Sequence, residues 1–434
     1  MNRTFVLNHD ATPLMPCRPA RARKLLRDGK AAIYRRIPFT IILKTQIEHP
    51  ILQPIEQRVD PGSKTTGIAL VRSGQRGDTV VFALNLTHRG AQIRKALEQR
   101  TTRRRRRRSK NLRYRAPRFD NRTRPQGWLP PSLQSRVDNV ETWTRLLTSR
   151  APIASIAVET VRFDMQAMQT PGISGVAYQQ GTLAGYEVRE YLLEKWGRTC
   201  AYCDAKNVPL QIDHVVPHAL GGSDRVSNLT LACEPCNTAK GAQPIEAFLA
   251  GDPKRLARIQ AQLKAPLKDA AAVNATRYAI GSALKAFGLP TAFWSGGRTK
   301  MNRVAQGYAK NHWIDAACAG EAGANVRIPS TMSALPIKAL GRGSRQMCKP
   351  DKYGFPRNAP KSAKRVNGVQ TGDLVRLVQP AGKYAGIHVG TVAVRARGDF
   401  DIKTSLGKIT SAARNFALVQ RGFGYALIAY AIPA

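Results

Sequence analysis

Two cysteine pairs constrain this chain more than any other feature. Cys200-x-x-Cys203 and Cys233-x-x-Cys236 are separated by 29 residues, a spacing that lets both pairs close around one tetrahedral zinc ion. Four unrelated core cysteines would have no reason to share that double spacing. Closed four-thiolate coordination leaves no open position, so such a zinc is structural, and it supplies binding energy that a segment this short cannot draw from its own core. Chemistry must come from what the ion holds in place. "LQIDHVV" reads as a short strand ending in Asp213-His214, Gly221-Gly222 turns the chain, "SNLTLAC" returns as a second strand, and "CNTAKGAQPIEAFL" starts a helix.

Strand, strand and helix, with a DH pair and a CNxxKG helix start, resemble the HNH (ββα-metal) nuclease module over about fifty residues. The resemblance implies His214 as general base, since a neutral imidazole takes a proton from water at neutral pH. It implies Asp213 and Asn237 as oxygen ligands of one Mg2+. Family members often carry His at the Asn237 position, and Asn still coordinates through its amide oxygen. Asn228 joins the catalytic set by bracing the loop that carries His214. His218 either reaches the phosphate or simply sits in the turn.

The charge balance names the partner class. Lys and Arg number 69 against 28 Asp and Glu, a formal net charge of +41, and a bare protein so charged repels itself, which points to a polyanion. The late apolar run "YALIAYAIPA" is too short to span a bilayer, and "MNRTFVLNHD" lacks a secretory core. Nucleic acid is the expected partner, with no membrane role. Seven cysteines, of which Cys17, Cys318 and Cys348 stand alone, suit metal binding in a reducing cytoplasm better than a disulfide frame. The expected setting is cytoplasmic, prokaryotic and nucleoid-associated.

Along the chain, "RARKLLRDGK" reads as a basic helix and "FTIILKT" as a strand. "RVDPGSKTTGIALV" reads as strand, Gly turn, strand, and "DTVVFALNL" as a third strand. From Arg94 to Arg124, fifteen Lys/Arg face two acids, and Arg103–Arg108 is unbroken. Residues 132–150 carry helical apolar spacing, "IASIAVETV" reads as a buried strand, and helical sequence runs from the cysteine block to about 288. "TAFWSG" is a strand candidate and "NHWIDAACAGEA" a short helix. In the last hundred residues "DLVRLVQP", "HVGTVAVRAR", "DFDIKTS" and "FALVQRG" are short strands between Gly turns, which suggests a small β-barrel.

Carboxylates on apolar elements form a second set. Asp60 ends a strand before a Gly turn, which Asp-Pro-Gly turn chemistry explains equally well. Glu159 sits in a buried strand, where an unpaired carboxylate is costly, and His312 and Asp315 are three apart on one helix face. A pair of divalent cations ~3.5–4 Å apart would offset that burial. This order of Asp, Glu and His-x-x-Asp resembles the RuvC-type nuclease domain of the RNase H-like fold, which implies Asp60, Glu159, His312 and Asp315 as catalytic and Asp60, Glu159 and Asp315 as ligands of two Mg2+. Ser63 and Thr66 either position phosphate or belong to the turn.

With Pro13-Leu14-Met15-Pro16 near the start, the whole order resembles the IscB family of transposon-encoded, RNA-guided nucleases related to the type II CRISPR effector. The implied class is a multidomain α/β protein: an RNase H-like (RuvC) core split in three segments, with an arginine-rich bridge helix and a ββα-metal HNH module inserted. The expected layout is a small α+β PLMP domain at 1–52, RuvC segments at 53–93, 127–192 and 256–328, a bridge helix at 94–126 and HNH at 193–255. A β-rich domain at 329–434 would bind RNA and read a motif beside the target.

The resemblance implies a monomeric ribonucleoprotein with a long structured guide RNA. It would make double-strand breaks in target DNA that carries an adjacent motif, HNH cutting the guide-paired strand and RuvC the displaced one. Arg100, Arg103, Arg104, Arg105, Arg106, Arg107, Arg108, Lys110, Arg113 and Arg115 would hold nucleic acid through its backbone. The bland account of that run is a solvated basic tract. Tyr114, Phe119 and Trp128 either stack on bases or pack between domains. Two further readings compete: a guide-independent homing or junction-resolving endonuclease, and a non-catalytic RNA-binding scaffold.

Overall fold

The computed structural model describes residues 2–74, 77–110, 127–160, 184–264, 268–341, 350–353, 355–357, 359, 363–395, 398–404 and 406–427. The chain divides into two units, residues 161–275 and the remainder.

In the larger unit the first segment is a four-stranded sheet, order β2-β1-β4-β3, built from β1 (Thr4–Leu7), β2 (Pro13–Cys17), β3 (Ala31–Arg35) and β4 (Thr40–Leu43). Helix α1 (Pro19–Arg27) lies between β2 and β3, with Pro at its first position, where a missing N–H costs nothing. The Pro-Leu-Met-Pro stretch lies in β2.

The main sheet begins with three antiparallel strands, β5 (Ile55–Pro61), β6 (Thr65–Arg72) and β7 (Asp78–Thr87). Their interiors are buried on both faces, as the near-continuous apolar runs demand. Helix α2 (Gly90–Ser109) follows and buries none of its residues. Helix α3 (Pro131–Thr148) buries Val137, Val140, Trp143 and Leu147 on one stripe. Strand β8 (Ile153–Glu159) then pairs parallel to β5.

The smaller unit contains α4 (Ala184–Lys195), β9 (Leu210–His214), β10 (Leu229–Cys233), α5 (Glu234–Lys240), α6 (Ile245–Phe248) and α7 (Pro253–Leu263). The strands pair antiparallel, and Leu192, Leu231, Ile245 and Ile259 belong to one core.

Helix α8 (Lys268–Lys285) leads back to the main sheet. There β11 (Thr291–Trp294) adds parallel to β8, followed by α9 (Gly296–Ala305) and α10 (His312–Ala317). Strands β12 (Val326–Arg327) and β13 (Leu335–Ala339) both pair with β7. A small hairpin, β14 (Arg365–Val366) and β15 (Val369–Gln370), precedes β16 (Leu374–Gln379), β17 (Gly386–Val394), β18 (Asp399–Thr404), β19 (Gly407–Ala412) and β20 (Phe416–Gln420).

Those last five strands form an antiparallel sheet in the order β19-β18-β17-β16-β20. The expected barrel is corrected to an open sheet, because among the described residues no pairing joins β19 to β20. The tail is not a self-contained block either. Strand β21 (Tyr425–Leu427) pairs with β13, so the main sheet runs β11-β8-β5-β6-β7-β13-β21. The start of "YALIAYAIPA" is therefore an edge strand of the main sheet.

Candidate nuclease centres

Cysteine geometry comes first. The Sγ atoms of Cys200, Cys203, Cys233 and Cys236 lie within 4.8 Å of one another, with Cys203 and Cys233 3.6 Å apart. A tetrahedron of ~2.3 Å Zn–S bonds has edges of about 3.8 Å, so the donors fit zinc in type and spacing. Burial, then its hydrogen-bonded thiol neighbours, holds the Cys236 thiol above its usual pKa. A bound cation would relieve that crowding.

His214 ends β9, opposite Leu229 in the register. Its Nε2 is 2.7 Å from Asp224 Oδ1, an oxygen that also lies 2.9 Å from His218 Nε2. The two rings are 4.2 Å apart. Asn228 acts as a clamp. Its Oδ1 accepts from the Val216 N–H at 2.9 Å, and its Nδ2 donates to the carbonyls of Val216 and Ser223. It holds the loop and touches no ring in doing so, which makes it a positioning residue. This is the bracing role expected of Asn228.

Asp213 and Asn237 are held by neighbours on β9, α5 and the loop before them. Asp213, one residue before His214 and so on the opposite strand face, is buried. Its Oδ2 accepts from the Tyr202 hydroxyl at 2.5 Å and its Oδ1 from Lys240 Nζ at 3.2 Å. Lys240 also donates to the His214 carbonyl at 2.7 Å, so Asp213 and Lys240 together lock α5 onto β9. The Nδ2 of Asn237 donates to Gln211 Oε1 at 2.6 Å. The hydrogen-bond partners of both side chains are thus Tyr202, Lys240 and Gln211.

The main sheet carries the second centre. Asp60 and Glu159 end the parallel neighbours β5 and β8, and both are buried. Helix α10 lies directly on β6 because Gly67, paired with Asp60 across the strands, has no side chain. A Cβ there would stand 2.0 Å from the His312 carbonyl oxygen. That close approach brings His312 Nδ1 to 2.7 Å from Asp60 Oδ2. Asp315 pairs with Arg303 at 2.8 Å and with Lys310 at 2.7 Å.

Glu159 is held well above the usual carboxylate range by burial, then by the charges of Asp60 and Asp315. Its Oε2 is buried without a hydrogen-bond partner. Orphaned, crowded carboxylate oxygen is the donor chemistry a hard divalent cation satisfies, so Glu159 fits Mg2+ in donor type. Burial raises the Asp315 pKa against the lowering pull of Lys310, and the Asp60 charge adds to the rise.

The surroundings of this centre were not foreseen. Arg136, buried on α3, donates to the Pro61 carbonyl and to Thr276 Oγ1. His88 stands between Thr66 Oγ1 at 2.8 Å and Asn139 Nδ2 at 3.2 Å, and Asn139 accepts from the Tyr425 hydroxyl. Burial, then the charges of Arg136 and His312, lowers the His88 pKa to about 3. Its neighbours reach it across distances of 22 and 51 residues in the chain, separations with no local signal.

On α2, Arg100, Arg103, Arg104, Arg105, Arg106, Arg107 and Arg108 belong to one continuous helix capped by Lys110. Arg106 reaches the Lys352 carbonyl at 3.0 Å, and Lys110 lies over the Tyr353 ring. Arg113 and Arg115, with Tyr114 and Phe119, lie outside the described residues.

Two family models match parts of the chain. Residues 200–243 match the HNH endonuclease family, so the cysteine-bearing stretch is an HNH endonuclease module. Residues 4–181 match the family described as RRXRR protein. No curated protein matches the chain. Among solved structures it is similar to Streptococcus thermophilus Cas9 in complex with the GGAA PAM, at 12% identity and TM-score 0.20, over 61% of this chain and 32% of that one. It is also similar to the Type II-C Cas9 enzyme from Actinomyces naeslundii, at 13% identity and TM-score 0.17, over 68% and 44%. The chain spans about a third of the first and under half of the second.

Proposed function

We propose that the chain is an RNA-guided DNA endonuclease of the IscB kind, cutting two DNA strands at two unlike centres. The observation that carries this reading is the coexistence in one chain of an HNH module and a separate three-acid centre. The sheet order β7-β6-β5-β8-β11, with three antiparallel strands and then two parallel additions, supports an RNase H-like core of the RuvC type. Between its segments stands a helix with nine Lys/Arg, one Glu and no buried residue. A helix that is polar all round gains nothing from the core and needs a partner, and nucleic-acid phosphates return its repulsion as counterion release.

At the sheet centre Asp60, Glu159 and Asp315 would hold Mg2+, which when bound offsets negative charge on the phosphate and the leaving oxygen. A carboxylate only accepts, so His312 donates from Nδ1 to Asp60 and keeps its lone pair on Nε2. Nε2 is then the atom able to take a proton from water.

At the HNH centre the step uses the chain's own residues. His214 takes a proton from water as the water oxygen bonds to phosphorus. The bond from phosphorus to one deoxyribose oxygen breaks, and that oxygen takes a proton from solvent. Two centres of different build suit two strands of opposite polarity. A guide-independent nuclease is the second reading; it shares both centres but would carry no RNA on α2.

Single substitutions test the assignment. With guide RNA and a strand-labelled duplex, Asp60→Ala should leave only the guide-paired strand cut, and His214→Ala only the displaced strand. A full double-strand break by either variant would overturn it.

A further inference from the structure

The loop after β9 places the Asp224 carboxylate on His214, the proposed base. Gly221 adopts φ +80°, which glycine takes at no cost, and a Cβ on Gly222 would sit 1.7 Å from the Val216 carbonyl oxygen. The Gly222 N–H donates to the Pro217 carbonyl at 3.0 Å. Asn228, clamping Val216 and Ser223, and Val226, buried beyond, hold this turn at both ends. It delivers Asp224 to His214 Nε2 at 2.7 Å.

We propose that Asp224 is the positioning residue of the HNH centre: it fixes the tautomer and ring orientation of His214 so that Nδ1 receives the proton. A carboxylate has no hydrogen to give, so the hydrogen of the contact lies on Nε2 and the lone pair on Nδ1. Once His214 has taken its proton, the imidazolium faces a full negative charge, which stabilises it. This rests on the reading of His214 as base. His218 shares the same Asp224 oxygen from a more exposed position. It competes with His214 for that oxygen and is not required by the step.

The same three side chains also bring their ligand atoms within 4.8 Å, a set of two imidazoles and a carboxylate that a first-row transition metal would accept. A base that ligates a metal through its lone pair cannot also take a proton, so the test must separate the two uses.

The test is single-turnover nicking of the guide-paired strand by the RNA-loaded protein, with displaced-strand cutting as internal control. Asp224 is more than half exposed, so Asp224→Ala should slow the chemical step about 10- to 100-fold, less than the ~10⁴ of a buried triad aspartate. DNA affinity and displaced-strand cutting should stay unchanged. Asp224→Asn should be as slow, Asp224→Glu partly restored, and His218→Ala within about twofold of wild type. Asp224→Ala combined with His214→Ala should be no slower than His214→Ala alone, since a residue acting through another adds nothing once that other is gone.

Wild-type rates in Asp224→Ala, equal loss on both strands, or an additive double variant would overturn the proposal. So would a bound metal per chain, beyond the cysteine-held zinc, that Asp224→Ala removes. A His214→Ala protein that still nicks the guide-paired strand would instead remove the base assignment itself, a separate failure.

Discussion

At the scale of single residues, two positions show how much of the sheet centre depends on what is missing. Gly67 lets α10 rest on β6, and Gly67→Ala forces backbone apart, an overpacking cost of about 1–3 kcal/mol. Displaced-strand cutting should fail while guide-paired nicking persists; loss of neither would mean the helix is not held there. Glu159 lacks a partner for one oxygen. Its folded pKa lies above the unfolded value, so without Mg2+ stability is full at low pH and falls as pH rises above about 4.5. Thermal melts in chelator should show Glu159→Gln more stable than wild type at neutral pH, with Mg2+ raising only the wild type.

His88 behaves in the opposite sense. Its folded pKa is about 3, so the unfolded chain takes up the proton first. Stability is full above about 6.5 and falls by about 1.4 kcal/mol for each pH unit below it, towards pH 3. Urea melts of His88→Gln should lose that slope relative to wild type; parallel slopes would contradict the burial of a neutral ring. The residues most readable beforehand were those in local patterns: the cysteines, the Asp213-His214 pair, and His312 with Asp315 three apart. Asp224, Lys240, Arg136 and His88 act through partners brought in by turns or by tertiary packing, and no spacing announces them.

At the scale of elements, the ββα unit and the arginine helix make separate predictions. The four thiols of the ββα unit would add metal-binding energy to its small hydrophobic core. Cys233→Ser, or a zinc chelator, should unfold residues 200–263 in hydrogen exchange while β5, β6 and β7 stay protected. Concerted loss of both would contradict independent cores. Helix α2 makes an electrostatic prediction. Each phosphate it neutralises adds about 0.7–0.9 to the salt slope of RNA binding. Replacing Arg103, Arg105 and Arg107 by Gln should therefore lower the slope by about 2–3, read from binding titrations across salt. An unchanged slope would return the helix to a solvated face. Element type was legible wherever a period ran long, as in β6, β7 and α3. The tail misled because strands β16–β20 look alike in sequence whether the sheet closes or stays open, and closure is set by pairings between distant edges.

At the scale of the molecule, the chain order hid one join. Strand β21 returns from the tail to pair with β13, and the Tyr425 hydroxyl then reaches Asn139 beside His88. A three-residue edge strand carries no alternation to detect, so the last residues read only as an apolar run. Each catalytic candidate on the main sheet lies near a strand end or in the first turn of a helix. The account as a whole requires that RNA aim both centres. The direct test is to strip the purified protein of ribonucleotides and supply a strand-labelled duplex, with and without a guide RNA complementary to one strand. The account predicts no site-specific cutting by the bare protein and two cuts, one per strand, once the RNA is restored; equal cutting of the same site without RNA would contradict it.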